Sequence, residues 1–286
     1  IRPTSASEAP LQDAGIVSPR IYGSPKAEYC TVGDDGILRV WELNTRKLKM
    51  SVDLKISSRC CTYSPDGHYL AVGLGGSMSH RKNKHNGGVR IFRADTLDQV
   101  VELKEAKQWI SCIKFSPDGS TLAVGSRDNS VYVYSVAQQF KRKAKFCKHA
   151  AGIMDLDFSM DSKYIQSTCT AYELLFSDTS TGAQITHGES QFASEHWDTF
   201  TCTLGWPVIG IWEPGMDGSD INSVDRNAKV IPGRKSKKKK ETLIATGDDF
   251  GGVHVYQYPA TIDGGSPGTT YRGHSSHVTT VRWASS

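Results

Sequence analysis

Adjacent carboxylates are the residues of this sequence that come nearest to a catalytic pattern, and they occur at Asp34-Asp35 and at Asp248-Asp249. Paired acids can divide the roles of general acid and general base. Both pairs, however, occupy the same turn of an internal repeat, which indicates a structural role. The sequence has no GxSxG, HExxH or Cys-His-Asn arrangement with a supporting context. We therefore predict that the chain is not an enzyme and has no catalytic, cofactor or metal site.

Basic side chains form two local clusters that could attract an acidic partner. The first contains Arg81, Lys82 and Lys84 and lies in a glycine-rich loop at 75–88. That loop lacks a Gly-Lys-Ser/Thr sequence, and its two histidines have no nearby Cys or carboxylate, so neither a nucleotide site nor a metal site is expected. It is either a solvated loop or a partner contact. The second cluster is a run too charged to fold by itself: Arg234, Lys235, Lys237, Lys238, Lys239 and Lys240.

The composition of the 286 residues is ordinary for a globular protein, with 38% apolar residues and a net charge of +4. Outside the two basic clusters the charge is balanced, which argues against nucleic acid as a partner. No run of about 18 apolar residues exists, so no membrane span is predicted. Seven cysteines without a CxxC pair are typical of reduced thiols in a cytosolic protein.

The repeat is clearest between Trp109 and Val136, where three short predicted strands are joined by two turns. In the first turn, Ser-Pro-Asp-Gly at 116–119, the Pro pre-sets φ and the Gly accepts a positive φ. The second turn is Arg-Asp-Asn at 127–129. Apolar, aromatic and β-branched residues fill the segments between the turns, as expected for strands covered by neighbouring sheets.

The same unit recurs along the chain. Its Ser-Pro-Asp-Gly turn is also present at 64–67, a looser copy begins at Phe158, and the closing strand returns at 39–41, 90–92, 132–134, 175–177 and 254–256. A basal period of about 42 residues with two insertions is typical of propeller blades of four strands. We therefore predict an all-β fold, a β-propeller with five visible blades and the start of a sixth.

The repeat also suggests how the chain is divided. We assign residues 1–15 to a linker or disordered tail and residues 16–286 to the propeller, with insertions at about 75–88 and 191–241. Within the second insertion, Thr201–Trp212 is apolar enough for a buried strand pair. The chain begins without Met and ends after VTTVRW, which looks like the first strand of another blade. We therefore expect a fragment in which the ring is incomplete.

The fourth blade departs from the repeat at its third strand. Ser177 stands where an aromatic residue is expected, and Phe176 comes one place early. A twisted or bulged strand would accommodate this displacement.

The pair Trp41-Glu42 occupies the position of the Trp-Asp dipeptide of WD40 repeats, and the chain resembles that family in period and turns. The resemblance implies that an aromatic residue of the third strand packs between adjacent sheets. It also implies that an Asp in the preceding turn bonds the backbone of a neighbouring loop. The structural repeat positions it identifies are Asp35, Trp41, Asp128, Tyr134, Asp249 and Tyr256.

The irregular fifth-blade sequence resembles the echinoderm microtubule-associated protein-like (EMAP-like) family. That family's Thr-Cys-Thr-Leu-Gly-aromatic core is present at Thr201–Trp206, its Gly-x-Trp at Gly210–Trp212 and its GxDG[ST]DIN turn at Gly215–Asn222. The sequences at 171–178, 246–259 and 273–281 are similar to the family as well. In that family two propellers stand in tandem, and this chain resembles the second.

The EMAP-like resemblance implies a non-enzymatic protein-interaction module of a microtubule-associated protein. Its partners would be tubulin in microtubules or other cytoskeletal proteins, with a second propeller in the same full-length protein. The expected location is the cytoplasmic cytoskeleton, either on microtubules in general or at the spindle or ciliary axoneme. The two basic clusters are the predicted partner-binding residues, because tubulin's acidic surface would attract them.

Two other functions remain open from the sequence. A general WD40 scaffold would bind peptides or other proteins without direct microtubule contact, through an Arg-rich and aromatic pocket for which Trp206 and Trp212 are candidates. The lysine run could also bind nucleic acid or anionic lipid electrostatically, although it lacks the stacking aromatics that give specificity.

Overall fold

Five antiparallel sheets, each forming one blade, make up the computed structural model, which describes residues 28–77, 84–212, 215–217, 219–227, 242–261 and 268–283. The predicted all-β propeller with five blades is confirmed. The tail predicted at 1–15 lies outside the described residues. No helix in the described ranges has the length and apolar character needed to cross a membrane.

Neighbouring strands of each blade follow one another in sequence. The first blade contains β1 (Glu28–Thr31), β2 (Ile37–Glu42) and β3 (Leu48–Asp53). The second contains β4 (Ser58–Tyr63), β5 (Tyr69–Leu74), β6 (Val89–Arg93) and β7 (Gln99–Leu103). The third contains β8 (Ile110–Phe115), β9 (Thr121–Ser126), β10 (Ser130–Ser135) and β11 (Lys141–Phe146). The fourth contains β12 (Ile153–Phe158), β13 (Tyr164–Cys169) and β14 (Leu174–Asp178). The fifth contains β15 (Ile221–Arg226), β16 (Leu243–Asp248), β17 (Gly252–Gln257) and β18 (Thr270–Arg272).

A single turn geometry joins the first two strands of the second, third and fourth blades. In the third blade Gly119 has a φ of 72°, and its N–H donates to the Ser116 carbonyl at 2.9 Å. The Asp118 carboxylate accepts a hydrogen bond from the backbone N–H two residues further on, at 3.0 Å. The turn at 64–69 makes the same bonds. In the fourth blade Ser162 takes the glycine position with a φ of 63°.

The core consists of four clusters of buried side chains, each lying between two adjacent blades. β4 packs against β8, and β8 packs against β12. These strands are therefore the innermost of their blades. Because side chains alternate along a strand, each sheet contributes one set of residues to the preceding interface and another to the following one.

The segment between β14 and β15 folds as one helical turn, α1 (Gly188–Gln191), and a 3₁₀ helix (Trp206–Ile211). The strand pair predicted for Thr201–Trp212 is therefore wrong. Pro207 fixes φ and has no N–H to donate, which suits the first turn of a helix and not a paired strand. The helix bonds to the end of the fifth blade instead, because Ala260 donates to the Pro207 carbonyl and accepts from the Gly210 N–H, both at 2.8 Å.

The displaced aromatic residue of the fourth blade lies in an unbulged strand. Ser177 pairs with Ile165 and Phe176 with Gln166 in regular register, so the predicted bulge between them is wrong. A shift of one position turns a side chain to the opposite face of a sheet. Phe176 accordingly faces the inserted segment, where its ring centroid lies 5.3 Å from that of Phe192.

Candidate functional site

Of the predicted partner-binding residues, Lys84 alone lies in the described part of the chain. Its side chain is exposed. Arg81 and Lys82 in the same loop, and the run from Arg234 to Lys240, lie outside the described residues. The described end of the loop is held to β7, because His85 Nδ1 lies 2.5 Å from Glu102 Oε1.

Glu102, the acidic residue of that contact, is ionised although it is partly buried. Burial works against ionisation of Glu102, but the hydrogen bond with His85 and the positive charge of Arg90 outweigh it and lower the pKa of the carboxyl group. The loop end that carries Lys84 is thereby fixed to the second blade by a charge-assisted contact.

A second basic surface lies on β11, the outer strand of the third blade. Lys141, Arg142, Lys143 and Lys145 are all exposed there. Acidic neighbours are few: Arg142 lies 3.5 Å from Glu105, while Lys143 Nζ donates to a threonine hydroxyl and Lys145 lies over a tyrosine ring. The sequence KRKAKF at 141–146 shows this cluster as four basic residues among six, but it was not among the predicted binding residues.

A cavity of about 840 Å³ opens at the end of the propeller where β4, β8, β12 and β15 begin. Its lining includes Arg59, Trp109, Arg127, Asp155, His277 and Arg282. Three arginine side chains and a tryptophan therefore converge at one end of the propeller. Sequence reasoning expected such a pocket for a scaffold, but placed it at other residues.

The Arg127 side chain is the unusual member of this cavity. Its guanidinium carbon lies 4.8 Å from the centroid of the Trp109 ring, a cation–π contact. Its Nε atom is buried without a hydrogen-bond partner, and burial lowers the pKa of the guanidinium. Among the described residues no carboxylate lies within ion-pair distance of it.

The other two arginines of the cavity have acidic partners. Arg59 lies 2.7 Å from Asp34, and Arg282 lies 3.2 Å from Asp155. His277 Nδ1 lies 2.7 Å from an oxygen of Asp249. The positive charge that is not balanced within the cavity is therefore that of Arg127.

Neither of the two tryptophans proposed for a peptide pocket is among the residues that line this cavity. Trp206 is 62% exposed at the start of the 3₁₀ helix. Trp212 packs against the core between the fourth and fifth blades, and its indole N–H donates to the Thr203 carbonyl at 3.0 Å. Trp206 is thus a surface residue and Trp212 a structural one.

The acidic repeat positions all take part in hydrogen bonds. Asp128 accepts from the Lys107 backbone N–H, in the loop before β8, at 2.7 Å. Asp35 instead bonds within its own turn and strand, to the Ile37 N–H at 3.1 Å and to Arg39. The Asp249 carboxylate contacts the side chains of Asn222 and His277, while the Asp249 backbone N–H donates to the Asp220 carbonyl at 2.9 Å.

The aromatic repeat positions lie in the third strands of their blades. Trp41 donates from its indole to Thr31 at 2.8 Å. Tyr134 and Tyr256 are buried in the clusters between the second and third and between the fourth and fifth blades.

One group of side chains has metal-ligand types, because the ligand atoms of His149, Cys169 and Glu173 lie within 4.8 Å of one another. Burial lowers the pKa of His149 and raises that of Cys169, so both are held neutral. His149 Nε2 bonds Ser167 at 2.7 Å, and the Cys169 thiol donates to Glu173 at 3.2 Å. These contacts form a hydrogen-bond network in which His149 Nδ1, 3.5 Å from Glu173, is buried without a hydrogen-bond partner.

Repeated antiparallel blades with an inserted fifth-blade segment define the class of this protein, a β-propeller of the WD40 type. The family profile described as "Echinoderm microtubule-associated protein second beta-propeller" matches residues 23–286. The chain belongs to the EMAP-like family, and the resemblance predicted from its sequence is confirmed.

Three curated relatives illustrate the similarity. The chain is 33% identical over 258 residues to echinoderm microtubule-associated protein-like 3 of Homo sapiens, a match that covers 89% of this chain and 26% of the relative. It is 35% identical over 259 residues to the like 2 protein of Rattus norvegicus, covering 90% of this chain and 36% of the relative. It is 33% identical over 254 residues to the like 4 protein of Xenopus laevis, covering 88% and 25%. The chain thus spans between a quarter and just over a third of these relatives.

Proposed function

We propose that this chain is a non-enzymatic protein-interaction module of a cytoskeletal protein and that it contacts tubulin in microtubules directly. The relatives named above are microtubule-associated proteins by name, and this supports a location on the cytoplasmic cytoskeleton. A second propeller in the same full-length protein is part of the proposal, because the matched profile is that of a second propeller.

The observation that carries the tubulin contact is the exposed basic face of β11. Lys141, Lys143 and Lys145 have no acidic partner among the described residues. Opposite charges on two surfaces raise the rate of encounter and favour one partner over others, and tubulin's surface is acidic. Lys84 is a further exposed basic residue, and the remaining residues of the two predicted clusters add to the positive charge of the chain.

Co-sedimentation with stabilised microtubules across a salt series tests this proposal. Replacing Lys141 and Lys143 by Gln should weaken binding by about three-fold or more at low salt, because rim charges act through long-range attraction. The matched control replaces Lys55 and Lys163 by Gln, which removes the same charge from exposed positions elsewhere. A further variant with Lys235 and Lys237–Lys240 changed to Ser tests the second predicted cluster.

The outcomes separate the surfaces. Equal loss in the β11 variant and its control would assign binding to overall charge and contradict a β11 site. Absence of saturable binding by the unaltered chain would contradict the tubulin contact itself.

A general scaffold that binds peptides or other proteins is the second candidate function. The specific observation in its favour is the cavity lined by Arg59, Trp109 and Arg127. Pockets of this size with a few converging polar groups are typical binding sites. This candidate does not require microtubules.

A further inference from the structure

The cavity at the end of the propeller contains a charge for which the described residues supply no counterion. Arg127 is held against Trp109, its Nε atom is buried without a partner, and no described carboxylate pairs with it. An arginine stays protonated in proteins. Burying an unpaired charge is costly, and such a group is normally found beside a counterion or a ligand.

We propose that this cavity binds the carboxylate of an acidic peptide segment of a partner protein, with the Arg127 guanidinium as the recognising group. A planar guanidinium matches a carboxylate with two parallel hydrogen bonds, and stacking on Trp109 fixes its plane in advance. The cavity volume of about 840 Å³ accommodates a short peptide stretch.

The charges around Arg127 favour a carboxylate over a phosphate. Arg59 and Arg282 are already paired with Asp34 and Asp155, so one positive charge is left to be matched. Asp155 is itself paired with Arg282 and Lys114, so one negative charge is enough to match Arg127. The group that meets Arg127 therefore fits better as a carboxylate, with one negative charge, than as a phosphate dianion.

This site is distinct from β11 and goes beyond the proposed tubulin contact. β11 is the outer strand of the third blade, whereas the cavity lies where the innermost strands begin. Arg127 belongs to the turn between β9 and β10, and Trp109 directly precedes β8. The two surfaces can therefore be altered separately.

Isothermal titration calorimetry of the full 286-residue chain with an acetylated, amidated tetraglutamate peptide tests the proposal. We expect saturable binding with one site, and at least about ten-fold weaker binding by the Arg127→Gln variant, because one partner of a buried charge pair is lost. The matched control is Arg93→Gln at the exposed end of β6, which removes the same charge outside both the cavity and β11 and should change the affinity by less than about two-fold. The corresponding tetraglutamine peptide should not bind.

A second variant and a second readout guard against misfolding. Arg127→Met keeps the long side chain and removes the charge that lacks a partner, so it should fold. Tetraglutamate should raise the thermal midpoint of the unaltered chain and of Arg93→Gln, but not that of Arg127→Met.

Three results would overturn the proposal. The first is an absence of tetraglutamate binding by the unaltered chain. The second is an equal loss in Arg127→Gln and Arg93→Gln, which would assign binding to general surface charge. The third is tighter binding of inorganic phosphate than of tetraglutamate at the same ionic strength, which would replace the carboxylate by a phosphate ligand.

Discussion

The interface between the third and fourth blades and the interface between the fourth and fifth are filled in different ways. The first contains residues of the two facing sheets, among them Val131, Val133 and Ile153. The second contains aromatic residues of the inserted segment, among them Trp197 and Phe200. Residues of the repeated strands therefore form the interface between the third and fourth blades directly. The interface between the fourth and fifth blades depends on an inserted segment whose sequence does not follow the repeat.

The direct interface leaves no room for a side chain at Gly125 of β9. A Cβ at Gly125 would stand 2.4 Å from the sulfur of Cys112 and 2.7 Å from a methyl carbon of Ile153. A side chain at this position of β9 would therefore force the neighbouring blades apart. The inserted segment has the opposite role, because its large rings fill the space between two sheets.

A buried polar contact ties the inserted segment to both neighbouring blades. Asp157 of β12 is fully buried, lies 2.8 Å from Lys114 Nζ of β8, and accepts from the backbone N–H groups of Thr201 and Cys202 at 2.9 and 3.1 Å. Burial opposes ionisation of Asp157, but the charge of Lys114 and hydrogen bonds from Lys114, Thr199 and Thr201 outweigh it and hold the pKa far below its usual range. The carboxylate thus links three parts of the chain.

Removing this carboxylate is the change with the largest expected effect. Asp157→Ala should lower the free energy of unfolding by about 4 kcal/mol, because it removes one of the two acidic partners of Lys114 and leaves two buried N–H groups without their acceptor. Urea unfolding at neutral pH measures this loss. Asp118→Ala, in an exposed turn of the third blade, is the control and should cost about 1 kcal/mol. A loss below about 2 kcal/mol for Asp157→Ala would show that the link is not needed.

The same carboxylate predicts how stability depends on pH. Its pKa in the folded protein lies below the value of about 3.9 for an unfolded chain, so its stabilising contribution is complete above that value and is lost as the pH falls below it. The slope approaches about 1.4 kcal/mol per pH unit. The difference in unfolding free energy between the unaltered chain and Asp157→Asn should therefore narrow from pH 5 to pH 3, roughly across the unfolded pKa. A difference that stays constant over this range would contradict the assignment.

Paired core truncations test whether the inserted segment is as integral to the core as a regular strand. Phe146 of β11 and Phe200 of the insertion are each 1% exposed. Both Phe→Ala variants should lose about 3–4 kcal/mol of unfolding free energy, through lost burial and the cavity left behind. A loss of less than about 1 kcal/mol at Phe200 alone would mean that the insertion only covers the fourth and fifth blades.

The strands and turns were predictable from the sequence because their signals are local. The Ser-Pro-Asp-Gly turn at 116–119 carries its geometry in four adjacent residues, and the strands beside it carry theirs in alternating apolar positions. The fifth-blade motif likewise identified the family. These features can be recognised without knowing which distant residues pack against them.

The insertion and the cavity were not predictable in the same way. Apolar residues between Thr201 and Trp212 suit a buried strand or a buried helix equally, and the contact with Ala260 that decides between them comes from a distant part of the chain. Arg127 likewise stands in an ordinary turn sequence. Only the packing of the blades shows that its guanidinium lies in a cavity where no described carboxylate pairs with it.

The smallest expected effect concerns the positive-φ position of the turn, which is Gly119 in the third blade and Ser162 in the fourth. Gly119 and Ser162 have nearly the same positive φ, 72° and 63°, a conformation that costs a residue with a side chain about 1 kcal/mol. Gly119→Ser should therefore lower the free energy of unfolding by about 1 kcal/mol, although the nearest atom to its new Cβ, in Pro65, is 3.8 Å away. Ser162→Gly should raise the free energy of unfolding by about 0.5 kcal/mol, since relief of the strained φ is partly offset by the greater freedom of glycine in the unfolded chain. Urea unfolding measures the change in the free energy of unfolding for each variant. Changes of the same sign would show that the two turns are not equivalent.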